Sequence, residues 1–193
     1  MNSARIKQTP YLDTQASGKR LVLRPYKVSD FKSLRLSFER RLPAIDRFDK
    51  PIASTKEPDT KKFKERVQRY RRLGKEGHQF FFGAFDKKTG EFIGQIDLFV
   101  INNQLRWINL GYIIQNQYRN KGYATEVAKL GLRIAFKQLN FHHVEAAIEL
   151  ANKASQKVAL NAGLVKEGKR IKFFPDNGGI DMIVFGQNRI DYK

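Results

Sequence analysis

Residues 116–126 read NQYRNKGYATE, with an arginine, a lysine, a lone glycine and a small residue between the apolar pair Ile113-Ile114 and a helix-periodic segment. A strand that turns into a helix leaves the first helical N–H groups without intrahelical partners, and the helix dipole adds positive character there. Gly122 would let a phosphate approach the backbone, Ala124 keeps the next contact small, and Arg119 and Lys121 add charge. The chemistry on offer is anion binding, although a polar turn that binds nothing has the same composition. The GxxxxGKS pattern of nucleoside triphosphatases and the GxGxxG of a dinucleotide fold are both missing.

A second stretch follows about thirty residues on, ANKASQKVALNAGLVKEG, in which Asn152, Ser155 and Gly163 are spaced for a helix start, its first turn and its C-terminal stop. Taken together, Arg119-Asn120-Lys121-Gly122-Tyr123-Ala124 has the form RxxGxA and resembles the acetyl-coenzyme A pyrophosphate loop of the GCN5-related N-acetyltransferase (GNAT) superfamily. Asn152, Ser155 and Gly163 resemble that family's NxxSxxxxxxxGF pattern, with Leu164 in place of the aromatic residue. RLVLRPYKVSDF, GEFIGQIDLF and INLGYII extend the likeness over about residues 19–190, and the combination is most similar to the ribosomal-protein-type, RimJ/RimL-like branch.

The resemblance implies an α/β (α+β) fold: a mixed, mostly antiparallel sheet of about seven strands flanked by four helices, with a splay between the fourth and fifth strands. It implies acetyl-coenzyme A as cofactor, with backbone groups of Ile113 and Ile114 along the pantetheine arm. Residues Arg119, Asn120, Lys121, Gly122, Tyr123 and Ala124 would hold the pyrophosphate, Thr125 would add a hydroxyl, and Asn152 and Ser155 would lie near the thioester. Many relatives carry a tyrosine general acid seven residues after the asparagine, where this chain has Ala159, so Ser155 becomes the candidate proton donor. The carboxylate often found two positions ahead of Gly111 is Asn109 here, and an amide accepts no proton. Glu149, Glu145 and Asp97 are the candidate bases instead, each equally readable as an ion-pair partner in so basic a chain. Asn152 reads alternatively as a helix cap, and Ser155 as an exposed helix residue.

Which elements must position these groups follows from the hydrophobic pattern. KRLVLRPY alternates as a strand, Ser29 or Asp30 caps a helix over SDFKSLRLSFERRL, and PAIDRFDKPIASTKEP is a loop. Asp59 caps a second, basic helix to about Leu73. HQFFFGAFDKKTGEFIGQIDLFVI predicts a hairpin turning at DKKTG, and LRWINLGYII the next strand after a turn at Asn102-Asn103. A helix over Tyr123–Leu139, the strand HHVEAAIEL, the helix KASQKVALNAG and two strands around FPDNGG complete the order.

The 193 residues suit one domain over 1–193, with 1–18 an expected flexible start. Zero cysteines excludes disulfides and thiolate metal sites, and no metal is expected. No apolar run approaches the roughly 18 residues of a membrane span, and the N-terminus lacks the apolar block of a secretory signal, so the expectation is a cytoplasmic protein with no membrane partner. The net charge is +18, and residues 1–75 hold 21 Lys+Arg against 8 Asp+Glu. A basic stripe of that kind is either the footprint of a polyanion such as RNA or the ribosome, or a solvated helix face. The sequence reading is therefore an N-acetyltransferase acting on a primary amine, with a protein N-terminus as the leading acceptor. A small molecule (amino acid, amino sugar or antibiotic) and a non-catalytic RNA-associated module are the alternatives.

Overall fold

The computed structural model describes residues 10–175 and 179–192. Its single sheet contains β1 (Ala16–Ser17), β2 (Leu21–Pro25), β3 (Gln79–Asp86), β4 (Phe92–Asn102), β5 (Trp107–Ile114), β6 (His143–Glu149), β7 (Val165–Phe174) and β8 (Ile180–Asn188) in the order β1-β2-β3-β4-β5-β6-β8-β7. Every neighbouring pair is antiparallel except β5 and β6. The mixed, mostly antiparallel architecture matches the expectation, with one strand more than the seven anticipated. That extra strand is β1, only two residues long, which pairs Ala16 with Leu23 and Ser17 with Val22. Residues 1–9 of the expected flexible start lie outside the described residues. Tyr11, by contrast, is buried and packs its ring on Phe80 and Phe82.

Four α-helices flank the sheet among the described residues: α1 (Phe31–Glu39), α2 (Thr60–Lys75), α3 (Tyr123–Arg133) and α4 (Lys153–Ala162). Strand alternation sends side chains to two separate cores. Ile108, Leu110 and Ile114 of β5 join Val127, Leu130 and Ala159 on the α3/α4 face, while Phe63, Val67 and Tyr70 of α2 pack with Tyr26, Phe85 and Phe92 on the other. Asp59 caps α2 as anticipated, its Oδ1 accepting from Lys62 N at 2.8 Å. Asp30 does not cap α1 with its side chain; its carboxylate instead accepts two bonds from Arg24 at 2.8 Å each. The α3 segment was expected to run unbroken to Leu139, but it changes to a π-turn over Ile134–Gln138, where Leu139 N bonds Ile134 O.

The feature that shapes the site is where β5 and β6 part. They pair in parallel at Trp107↔His143, Ile108↔Val144 and Asn109↔Glu145, and no further register pair joins them among the described residues, although β5 continues to Ile114 and β6 to Glu149. These are the fourth and fifth of the long strands, so the splay lies where it was anticipated. Backbone groups inside it have no strand partner and are available to a ligand.

Candidate active site

The β5–α3 turn builds one wall. Asn120 and Gly122 take positive φ, 57° and 74°, a region that costs glycine little and a β-branched residue much. Gly122 is the N-cap residue of α3 and supplies no side-chain cap, whereas α2 and α4 are capped by Asp59 and Asn152. Glu126 N is the first to find an acceptor within the helix, Gly122 O at 3.2 Å. The N–H groups before it are left to face an incoming anion, which is the fit a pyrophosphate requires.

The charged side chains of the turn act differently from their sequence reading. Arg119 turns to the loop between α1 and α2, lying 3.5 Å from Asp49 and 3.6 Å from Asp46, and its N–H donates to Asn116 O at 3.1 Å, so the anion site is left to the residues after it. Lys121 Nζ donates to Gln117 O at 3.2 Å and stays exposed. Thr125 lines a different groove of about 550 Å³ on the β1–β2 side of α3, with Gly18 and Lys129. Tyr123 lies under the Arg20 guanidinium at 4.0 Å. Arg20 also donates to Lys121 O at 2.7 Å and pairs with Glu126 at 2.9 Å, while Glu126 accepts the Arg20 and Leu21 N–H groups. Burial raises the Glu126 carboxyl, but the bonds from Arg20 and Leu21 outweigh it and hold it below its usual value. Arg20 and Glu126 thus brace the turn against β2, a role that the helix pattern alone hides, since Glu126 reads there as an outward charge.

Inside the splay, Gln115 N bonds Ile93 O at 3.0 Å and Ile113 stands opposite Gln95 on β4. Antiparallel alternation therefore points the peptide groups of Ile113 at β4 and those of Tyr112 and Ile114 into the opening. Asn152 Oδ1 accepts from Ser155 N at 3.1 Å, so the cap reading of Asn152 holds, and its Nδ2 remains on a cleft-lining residue. Ser155 meets a residue that the sequence reading missed. The Tyr112 hydroxyl donates to Ser155 O at 2.8 Å and lies 3.0 Å from Ser155 Oγ. A phenol has one proton, and here it is given to the carbonyl, so in the second contact Ser155 Oγ donates to Tyr112. Burial pushes the Tyr112 hydroxyl up to about 12, so it keeps its proton at neutral pH. The only sequence signal for it was its place directly after Gly111 in LGYII. Ala159 is fully buried on the inner face of α4, and its methyl group offers no proton.

The opposite wall comes from the loop after α1. Asp49, whose side chain has no solvent exposure, accepts from Arg41 at 2.6 Å and from Asn116 Nδ2 at 2.9 Å. Burial raises the Asp49 carboxyl, but those two bonds and the charge of Arg119 overcome it and set it below its usual value. Asn116 further bonds Leu42 N at 3.0 Å and Leu42 O at 2.7 Å. The loop is thereby latched to the β5–α3 turn, and its Arg47, Phe48 and Lys50 line a cleft of about 590 Å³ with Ile113, Glu149 and Asn152.

The candidate bases separate clearly. Glu145 is a correction: it is buried and bound bidentately by Arg170 at 2.8 Å twice, so its lone pairs are committed. Glu149 lines the cleft and is ion-paired with Arg47. Asp97 lies opposite Gly111, with Gln79 Nε2 at 3.5 Å, and burial raises its carboxyl toward the neutral form. It is not among the residues lining the cleft.

The comparisons with known proteins agree with this geometry. A family model described as Acetyltransferase (GNAT) domain matches residues 20–165. The Bacillus subtilis protein named Probable N-acetyltransferase YjcK is 29% identical over 163 residues, covering 83% of this chain and 89% of that protein. Two solved structures show the same fold. The ribosomal-protein-S5-alanine acetyltransferase from Vibrio fischeri has a TM-score of 0.73 at 24% identity, covering 94% of this chain and 100% of that one. Mycobacterium smegmatis RimJ in complex with CoA-disulfide has a TM-score of 0.73 at 20% identity, covering 94% and 90%.

Proposed function

The chain belongs to the acetyltransferase (GNAT) family and is an acetyl-coenzyme A-dependent N-acetyltransferase, and from that premise we propose that its acceptor is the N-terminal α-amine of a ribosomal or other protein. One observation carries the reading: Glu149, the single carboxylate lining the cleft among the described residues, is already bound by Arg47. An amine must be neutral to attack, and a lysine or polyamine amine, with an ordinary pKa of about 10.4, needs a strong base to lose its proton near pH 7. An α-amine, at about 7.7 to 8.0, is partly neutral there already and needs only a weak acceptor. The structural likeness to an enzyme named for a ribosomal protein's alanine supports the same choice.

When bound, acetyl-coenzyme A supplies an activated acyl group. The chain's own residues do the rest. The N–H groups of Asn120 to Ala124 would donate to phosphate oxygens, and the peptide groups of Tyr112 and Ile114 would line the pantetheine arm in the splay. Asn152 Nδ2 offers a donor beside the cleft. Tyr112 fixes the Ser155 backbone and holds its hydroxyl, so Ser155 Oγ would release its proton toward the departing thiolate by turning away from Tyr112; Glu149 is the acceptor for the amine's proton, directly or through water.

The outer face of α2 presents Lys61, Lys64, Arg69, Arg72 and Lys75 to solvent, opposite buried Phe63, Val67 and Tyr70. That face suits association with RNA or the ribosome, and salt must weaken such association steeply. An insensitivity to salt would remove this part of the reading.

A thiol-release assay with acetyl-coenzyme A decides the acceptor. Peptides with a free N-terminus are expected to be turned over faster than N-blocked lysine peptides, polyamines or small amines. Faster turnover of lysine or polyamine amines contradicts the proposal, and tight cofactor binding with no turnover would mark a binding module.

A further inference from the structure

We infer that the cleft selects acceptors in which acidic side chains follow the reacting amine closely, an inference that rests on the N-terminal acceptor proposed above. The acidic groups around the cleft are already spent on partners of their own. Arg47, Lys50 and Lys153 line the cleft and the groove adjoining it, with Glu149 and Asp181 as the acids among those linings. Both acids are engaged, Glu149 by Arg47 and Asp181 by Lys169 at 2.5 Å, and the nearby Asp46 faces Arg119 at 3.6 Å. Lys50 and Lys153 have no carboxylate within ion-pair distance among the described residues, and both are exposed.

An acceptor entering this cleft therefore meets two uncompensated ammonium groups and one neutralised pair, Arg47 with Glu149. A second cation on the acceptor is repelled; a carboxylate one to three residues from the amine is attracted to Lys50 or Lys153. It also competes with Glu149 for Arg47, whose side chain is 61% exposed and stacked 4.6 Å over Phe48 rather than clamped on other carboxylates. An acidic acceptor that draws Arg47 away leaves Glu149 free beside the amine, so the same negative charge that improves binding unmasks the proton acceptor. The roughly 590 Å³ of the cleft is enough for the first residues of a peptide.

The test uses the full-length protein and three peptides of one length that differ only after the first serine: Ser-Asp-Asp, Ser-Ala-Ala and Ser-Lys-Lys, with spermidine as a fourth acceptor. Expected is a kcat/KM order of Asp above Ala above Lys, with steps of roughly threefold to tenfold per charge, narrowing at about 0.5 M salt as exposed charges are screened. A Lys50→Glu/Lys153→Glu variant is expected to invert the order. A flat or reversed order in the unaltered protein overturns this inference while leaving the N-terminal acceptor standing. Turnover of spermidine with none of the three peptides overturns both.

Discussion

The two walls of the splay are built on different principles. The donor wall is a backbone site: Gly122 and Asn120 in left-handed conformation, an uncapped helix start, and peptide groups of Tyr112 and Ile114 left unpaired where β6 departs. The acceptor wall is a side-chain site, assembled from Arg41, Asp49, Arg119, Asn116, Arg47 and Glu149 across segments more than sixty residues apart in sequence. A backbone site demands small residues at fixed short spacing, whereas a charge network demands only that partners meet in space. The walls also meet: Asn116 and Arg119 belong to the donor turn and hold Asp49 of the acceptor loop.

The comparison breaks most severely at Asp49. Asp49→Ala leaves Arg41 and Arg119 without their buried partner, a loss of about 3 to 5 kcal/mol, and is expected to lower both thermal stability and coenzyme A affinity because both walls share the residue. Its pH dependence has a definite sign. A carboxyl held below its unfolded value contributes stability above that value, about 3.9, and loses it as pH falls through the lower folded value. Asp97, held above its usual value, behaves in the opposite sense: its cost is absent in acid and grows as pH rises through the folded value. Denaturation of Asp49→Asn and Asp97→Asn against the parent, from pH 3 to 7, checks both signs.

Gly122→Val touches the donor wall alone. A β-branched residue at φ 74° costs about 1 to 3 kcal/mol, and its branch obstructs the N–H groups, so coenzyme A affinity is expected to fall at least about tenfold. Glu149→Gln is expected to lower kcat/KM by about tenfold to a hundredfold, against less than about threefold for Asp97→Asn; the reverse ranking would move the proton acceptor out of the cleft. Tyr112→Phe removes the bond that orients Ser155, worth about 0.5 to 1.5 kcal/mol, and is expected to reduce kcat severalfold with coenzyme A affinity retained. Smallest is Lys121→Ala, about 1 kcal/mol or below for an exposed charge, read as a slight rise in the coenzyme A dissociation constant.

How much of this was readable beforehand divides along the same line. The sheet and the four helices were readable because the period-2 and period-3.6 patterns are long and the punctuation at Asp59, Gly122 and Gly163 is strong, whereas the splay was expected from the family resemblance alone. The donor loop was readable because RxxGxA and NxxS place their residues within a few positions of one another. Arg119 and Lys121 were read as phosphate-facing charges, yet the side chain of Arg119 is drawn to a loop seventy residues earlier, a contact that no local spacing announces. Glu145 and Glu149 share a strand face and look equivalent in sequence. Only the arrival of Arg170 from β7 and Arg47 from the acceptor loop makes one a buried strut and the other a cleft residue. Tyr112 was hidden for the same reason, since its partner Ser155 lies forty-three residues on.

The claim that the donor is held by one wall and the acceptor chosen by the other is tested most directly by calorimetric titration of coenzyme A into two variants, Gly122→Val and Lys50→Glu. The account predicts that Gly122→Val weakens binding at least about tenfold while Lys50→Glu binds within about twofold of the parent. Equal affinities in the two variants, or a larger loss in Lys50→Glu, would contradict it.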